Sequence, residues 1–178
     1  MKIGTKYHGE IEVKSEYILK FDHGIPGFGE EKQFVLLSLP ENEWFNILQS
    51  VTTPQLGFVV TDPFVFFKDY DFELDQASVE LLEHPGEKEV QVLSILTVRQ
   101  PLHESTANLQ APIIINLANR KGKQVILTNT DYQTKHLIFA RAKGPKWAII
   151  SIDDEPCAKM AVELAREGGR HIIEVSVK

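Results

Sequence analysis

The sequence predicts a mainly β protein: a small antiparallel β-barrel or sandwich with a C-terminal β-α-β appendage. Three observations lead there. Short runs rich in β-branched and aromatic residues recur through roughly the first 140 residues. Turn sequences, rather than long helical patterns, separate those runs. After about residue 140 the pattern changes to strand, helix, strand. A chain of 178 residues with ten Phe, four Tyr and two Trp can bury a useful core, which excludes wholesale disorder.

Taken in order, residues 10–19 carry β-branched and aromatic residues in partial alternation and predict one strand. Residues 34–39, 45–51 and 56–61 follow as short apolar runs. His23-Gly24 with Pro26-Gly27, then Pro40-Glu41-Asn42, then Thr53-Pro54 supply the turns between them. Residues 76–82 predict a single helical turn, with Val79 and Leu82 on one face. His84-Pro85-Gly86-Glu87 is a turn, and residues 90–98 form a strand around Val90, Val92, Ile95 and Val98. Residues 112–117 and 123–128 predict a hairpin whose connection places Gly122 where a positive φ would be useful. These elements define a first domain, 1–141.

Residues 142–178 read as a linker followed by the β-α-β extension. Ala142 to Lys146 carries Gly144 and Pro145 and reads as the linker. Residues 147–152 form a buried-type strand. Asp153 and Asp154 then introduce a helix from about Pro156, with Met160, Ala161 and Leu164 on its apolar stripe. Gly168-Gly169 stops it, and residues 171–177 form a second strand. Right-handed parallel crossover is the default for such a unit. It is too small to stand alone and needs the barrel or another chain to pack on.

Composition narrows the function. Cys157 is the single cysteine, so no intrachain disulfide and no cysteine-based metal site can form, and a reducing compartment is expected. Met1 to Val13 alternate polar and apolar without a signal-peptide core, and no run approaches the ~20 apolar residues of a membrane helix. The expected location is the cytoplasm. The net charge of −6 disfavours nucleic acid and anionic membranes as partners and accommodates a basic one.

Catalytic and cofactor patterns do not emerge. His8, His23, His84, His103, His136 and His171 show no zinc-ligand spacing. No nucleophile elbow occurs. The run Gly24, Ile25, Pro26, Gly27, Phe28, Gly29 is glycine-rich, but Pro26 removes a backbone donor that a phosphate cradle needs. It reads as a sharp turn with Phe28 packed inward. No cofactor is expected, and the chain is not expected to be an enzyme.

Charge placement is more informative. Between Asp62 and Glu89 nine acids face only Lys68 and Lys88, a local charge of −7, with Phe64, Phe66, Phe67, Tyr70 and Phe72 interleaved. One reading is a solvated acidic edge. The other is an acidic surface with aromatic anchors that docks a basic protein, charge setting the encounter and the aromatics supplying affinity. On a strand, Asp69, Asp71 and Glu73 would point the same way. Paired carboxylates for hydrolysis are a third reading, without a sugar cleft to support it.

Seven phrases together resemble the flagellar assembly factor FliW family. They are KYHGE from Lys6, FDHGIPGF from Phe21, FNILQS from Phe45, LGFVVTDPFVFFKDY from Leu56, NLQAPIIIN from Asn108, GKQVIL from Gly122 and YQTKH from Tyr132. They follow the family's order over residues 1 to about 140, and residues 144–178 lie outside the resemblance. The resemblance implies a β-barrel-like monomer that is not an enzyme. It implies binding to CsrA, a dimeric RNA-binding repressor, away from its RNA-binding face, so that repression of flagellin translation is relieved allosterically. It also implies flagellin as a second, competing partner in a partner switch. A flagellin chaperone without a regulatory role is the alternative. Candidate partner-binding residues are Asp69, Tyr70, Asp71, Phe72 and Glu73, the turn Gly24, Ile25, Pro26, Gly27 and Phe28, and Asn108 with Gln110. For the last two groups the competing role is shaping turns of the barrel.

Overall fold

The structure, a computed structural model, describes residues 1–39, 44–128 and 130–139, and the backbone strands 147–152 and 171–177. The expected turn at 40–42, the linker at 142–146, Cys157 and the helix from Pro156 lie outside the described residues. The strands are β1 (Lys2–Thr5), β2 (Gly9–Glu12), β3 (Ile18–Lys20), β4 (Gln33–Ser38), β5 (Phe45–Ser50) and β6 (Gly57–Thr61). Helix α1 (Gln76–Leu81) precedes β7 (Val90–Thr97), β8 (Thr106–Ala107), β9 (Ile113–Asn116), β10 (Lys121–Gln124) and β11 (His136–Leu137). Last come β12 (Trp147–Ile152) and β13 (His171–Val177).

The chain divides into two units: Met1–Thr97 with Thr106–His136, and Val98–Ser105 with Leu137–Lys178. In the first unit β7, β6, β5, β4, β3, β10 and β9 are neighbours in that order, and β9 pairs back with β7. Seven strands thus close a barrel, which removes the exposed edges of an open sheet. Every joint is antiparallel except β10 with β3, which is parallel at Lys121 opposite Lys20. In the second unit β12 and β13 pair in parallel, Trp147 opposite His171 and Ile152 opposite Val177.

The barrel interior is filled by Leu19, Phe21, Ile25, Phe34, Leu48, Val60, Leu93, Ile113 and Ile115. Phe21 meets Phe34 edge to face at 5.1 Å, the favoured arrangement for two aromatic rings. A second apolar cluster, Ile3, Val13, Ile18 and Val35, lies under the β1–β2 hairpin. Strand β4 serves both clusters: Phe34 and Leu36 belong to the barrel core, Val35 and Leu37 to the hairpin. A strand covered on both faces reads as a continuous apolar run, which is the pattern at 34–37.

Three expectations needed correction. Residues 10–19 are two strands, not one. The exposed residues Lys14, Ser15, Glu16 and Tyr17 make a 3-10 turn region between them, so β2 folds back on β1 while β3 joins the barrel. In the β9–β10 hairpin the left-handed residue is Arg120, at φ 64°, and not Gly122. Gly122 is required for space: a Cβ there would lie 2.5 Å from Cζ of Phe21. Finally, the second strand of that hairpin starts earlier, at Lys121, and ends at Gln124. Beyond it Val125 and Leu127 still donate backbone hydrogen bonds to Pro112 and Gln110, at 2.9 and 2.8 Å, outside the regular ladder.

Candidate functional site

The acidic stretch begins where β6 ends. Asp62 accepts a hydrogen bond from the Phe64 amide at 2.9 Å and caps a 3-10 turn at Pro63–Val65. Residues 69–75 then run without pairing to any strand, so a strand on which Asp69, Asp71 and Glu73 would point the same way is not formed. The alternation it implied survives. Asp69, Asp71, Glu73 and Asp75 are exposed, while Tyr70 is buried and Phe72 and Leu74 are half-buried. Side chains hold this segment, not a backbone ladder.

Tyr70 is the anchor. It is 4% exposed and its hydroxyl donates to the Leu109 carbonyl at 2.7 Å. Burial, and secondarily the neighbouring Tyr132, hold that hydroxyl well above the usual tyrosine range. Its ring packs on Tyr132 at 4.7 Å, Phe72 at 5.2 Å and Phe64 at 5.7 Å. The Tyr132 hydroxyl accepts from the Asp71 amide at 2.9 Å, and His136 stands edge-on to both Tyr132 and Phe67 at 6.2 Å. The Gln133 amide donates to Nε2 of His136 at 2.7 Å, which folds the 132–136 segment over this cluster.

Asn108 and Gln110 flank Leu109, to which Tyr70 bonds, and each is tied into a local turn. Asn108 Oδ1 accepts from the Ala111 amide at 3.0 Å, closing a local turn. The Gln110 amide donates to the Gln133 carbonyl at 3.2 Å. Both residues are half-buried and shape the platform on which Tyr70 rests.

The turn from Gly24 is placed differently. Gly24 has φ +67°, and a Cβ there would meet the Phe28 carbonyl oxygen at 2.6 Å, so glycine is required. Ile25, not Phe28, enters the core; it is 2% exposed, whereas Phe28 is 40% exposed and touches Phe58 edge-on at 5.2 Å. The expectation of an inward Phe28 is therefore reversed. The reason is the tight Ile25–Phe28 bridge, which turns Pro26, Gly27 and Phe28 outward.

Two open clefts meet at Thr130. One, of about 550 Å³, is bounded by Asp71, Thr130, Asp131 and Tyr132. The other, of about 280 Å³, includes Phe72, Glu73, Asp75 and Ile126. Ile126 is 61% exposed, so the acids here surround an apolar surface. Sequence reasoning missed Tyr132, His136, Asp131 and Ile126 as members of this surface. YQTKH held a signal for Tyr132 and His136 and GKQVIL one for Ile126, but nothing in either shows that Tyr132 reaches back to Asp71.

Other acids of the stretch are engaged in structure. Asp75 caps α1: its Oδ1 accepts from the Ser78 amide at 2.7 Å and its Oδ2 from the Ser78 hydroxyl at 2.8 Å. Those two bonds hold the Asp75 carboxyl below the usual aspartate range. A depressed carboxyl contributes stability above its unfolded pKa and loses it as pH falls through the folded one. Asp75→Ala should therefore cost about 1 kcal/mol at neutral pH. The cost should shrink below about pH 4, the ordinary aspartate value. Urea unfolding of both proteins across pH 2 to 7 measures this, and a pH-independent difference would count against the cap. Glu83 pairs with Lys121 at 3.1 Å, and Lys121 also reaches Asp22 at 3.0 Å.

Among the described residues no group of three or more His, Cys, Asp or Glu is placed to hold a metal ion, and no helix is long and apolar enough to cross a membrane.

Comparison with known proteins places this geometry. The family model described as FliW protein matches residues 2–138. A flagellar assembly factor FliW of Geobacillus kaustophilus (strain HTA426) is 58% identical over 139 residues, covering 78% of this chain and 96% of that protein. Its counterpart in Bacillus subtilis (strain 168) is 52% identical over 138 residues, with the same coverage of both. A crystal structure of the flagellar assembly factor FliW superposes with a TM-score of 0.77 at 55% identity, covering 80% of this chain and 99% of that one.

Proposed function

The chain belongs to the FliW family, and from that premise we propose that it is a flagellar assembly factor working by protein binding in the cytoplasm. Its partners are the RNA-binding repressor CsrA and flagellin. Binding of CsrA away from the RNA-binding face antagonises repression of flagellin translation; flagellin competes for the factor, and its secretion frees the factor to bind CsrA. The protein is a monomer when free and acts without catalysis. The domain that carries this activity is 1–141, and residues 142–178 are an extension to it.

The observation that carries the reading is the 69–75 segment. Its four exposed acids alternate with Tyr70, Phe72 and Leu74, which are turned toward the fold. Among the described residues, no ion pair engages Asp69, Asp71 or Glu73. Such carboxylates keep their field available for a basic partner, and the half-exposed aromatics and Ile126 offer apolar contact beside them. Affinity capture with the full chain tests the reading. CsrA and flagellin should each be retained, and each should displace the other. Retention of flagellin alone would leave a chaperone without a regulatory role, and retention of neither by the folded chain would refute the proposal.

A further inference from the structure

Strand β2 has an outer edge to which no described strand pairs. The terminal amine of Met1 donates to the Val13 carbonyl at 2.7 Å, and the Val13 amide returns a bond to Met1 at 2.8 Å. Hydrogen-bonded pairs alternate with non-bonded ones in an antiparallel ladder. With Ile3 opposite Ile11, the pairs Lys2 with Glu12 and Gly4 with Glu10 are the non-bonded ones. Glu10 and Glu12 therefore turn their N–H and C=O groups away from β1. Among the described residues those groups have no backbone partner.

Beside this edge runs an open groove of about 420 Å³. Its walls are chiefly apolar, with Ile11, Val13, Tyr17, Val35 and Leu37 among them. Tyr17 is 52% exposed, a large ring left in water. Arg120 and Lys14 also line it. Lys14 has Glu16 at 3.8 Å, but Arg120 has no carboxylate partner among the described residues.

We propose that the β2 edge and this groove dock an extended segment of a protein partner, apolar at alternate positions and bearing a carboxylate that meets Arg120. Each part of the surface specifies one property of that segment. The free backbone groups of Glu10 and Glu12 accept only another extended backbone, as in strand addition. The apolar wall takes every second side chain, because a strand presents alternate residues to one face. The guanidinium of Arg120 supplies a planar, permanently charged donor for a carboxylate. This site uses none of the acidic residues offered above to a basic partner.

A fluorescein-labelled, amidated heptapeptide alternating Val with Thr and ending in Glu is the probe, titrated with the full chain by fluorescence anisotropy. Saturable binding is expected, weakened about tenfold when the peptide's Glu becomes Gln. Two variants test the two contacts. Glu12→Pro removes an edge donor that makes no bond in the fold, so the hairpin ladder stays intact. It should weaken both peptides about tenfold or more, the order expected for loss of a backbone contact with steric block of the edge. Arg120→Gln should weaken only the Glu peptide. Circular dichroism and melting temperature of each variant check that it is folded. Absence of saturable binding at millimolar protein would overturn the proposal. So would equal binding by both folded variants, or concentration-dependent dimerisation that Glu12→Pro abolishes, which would make a second copy the occupant.

Discussion

Gly122→Ala should destabilise the barrel by about 3 kcal/mol, the upper part of the range for overpacking a closed core. The added methyl would sit 2.5 Å from Cζ and 2.7 Å from Cε2 of Phe21. The ring cannot easily retreat, because Phe21 is 0% exposed and is held edge-on by Phe34, itself 0% exposed. The backbone cannot easily yield either: the neighbouring Lys121 is the single parallel joint to β3, and the Lys20 amide donates to the Arg120 carbonyl at 2.8 Å. Phe21→Leu should relieve part of the clash. In a double-mutant cycle by urea unfolding, the pair should be more stable than the sum of the two single losses by about 1 kcal/mol or more. Additive losses would show that the ring and the glycine are not coupled.

Gln49→Leu is expected to cost about 2–4 kcal/mol, although leucine has nearly the same volume and is more apolar. Gln49 is 0% exposed. Its Nε2 lies 3.0 Å from the Ser50 carbonyl, 3.3 Å from that of Thr53, 3.1 Å from that of Pro54 and 2.9 Å from that of Leu56. Its Oε1 accepts from the Lys6 amide at 3.0 Å. One amide therefore gathers the β5–β6 loop and ties the β1–β2 hairpin to it. Leucine would leave the Lys6 N–H without its acceptor and would remove the donor that gathers the Ser50 and Pro54 carbonyls, while the Leu56 and Thr53 carbonyls keep the Ser50 and Leu56 amides. Hydrogen exchange at Lys6 should speed up in the variant more than exchange at Ile114, in the closed barrel. Uniform acceleration would mean that Gln49 supports the whole fold equally rather than this junction.

These two positions also show what the sequence could reveal. Gln49 lies in FNILQS and Gly122 in GKQVIL, both phrases of the family resemblance. Nothing in those phrases shows what either residue does. The glycine was expected to serve a positive φ, yet Arg120 takes that conformation while Gly122 makes room for a ring one hundred residues away in sequence. Short apolar runs with turns between them sufficed for β4, β5, β6 and β7, each found within two residues of its expected bounds. Closure was less accessible. The pairing of β9 with β7, and of β10 with β3, joins strands far apart in the chain, and no local pattern encodes it.

The candidate site was legible in the same uneven way. Charge and aromatic interleaving marked residues 62–89, and the alternation of Asp69, Asp71 and Glu73 with Tyr70 and Phe72 is real. It needs no strand ladder, because Tyr70, bonded to Leu109 and packed on Tyr132, holds the segment in place. Phe28 is expected inward, yet Ile25 takes that place: both are large and apolar, and the tight bridge between them decides which one enters the core.

The central claim is that the exposed acids of residues 69–73 dock CsrA. Stopped-flow association of CsrA with the full chain, compared with Asp69→Lys/Asp71→Lys/Glu73→Lys over a range of salt, tests it most directly. All three side chains are exposed and unpaired among the described residues, so the variant should keep its fold. The account predicts an association rate lower by about tenfold or more at low salt, converging toward the wild-type rate as salt is raised, with a smaller change in dissociation. Equal association rates at low salt, from a variant shown to be folded, would contradict it.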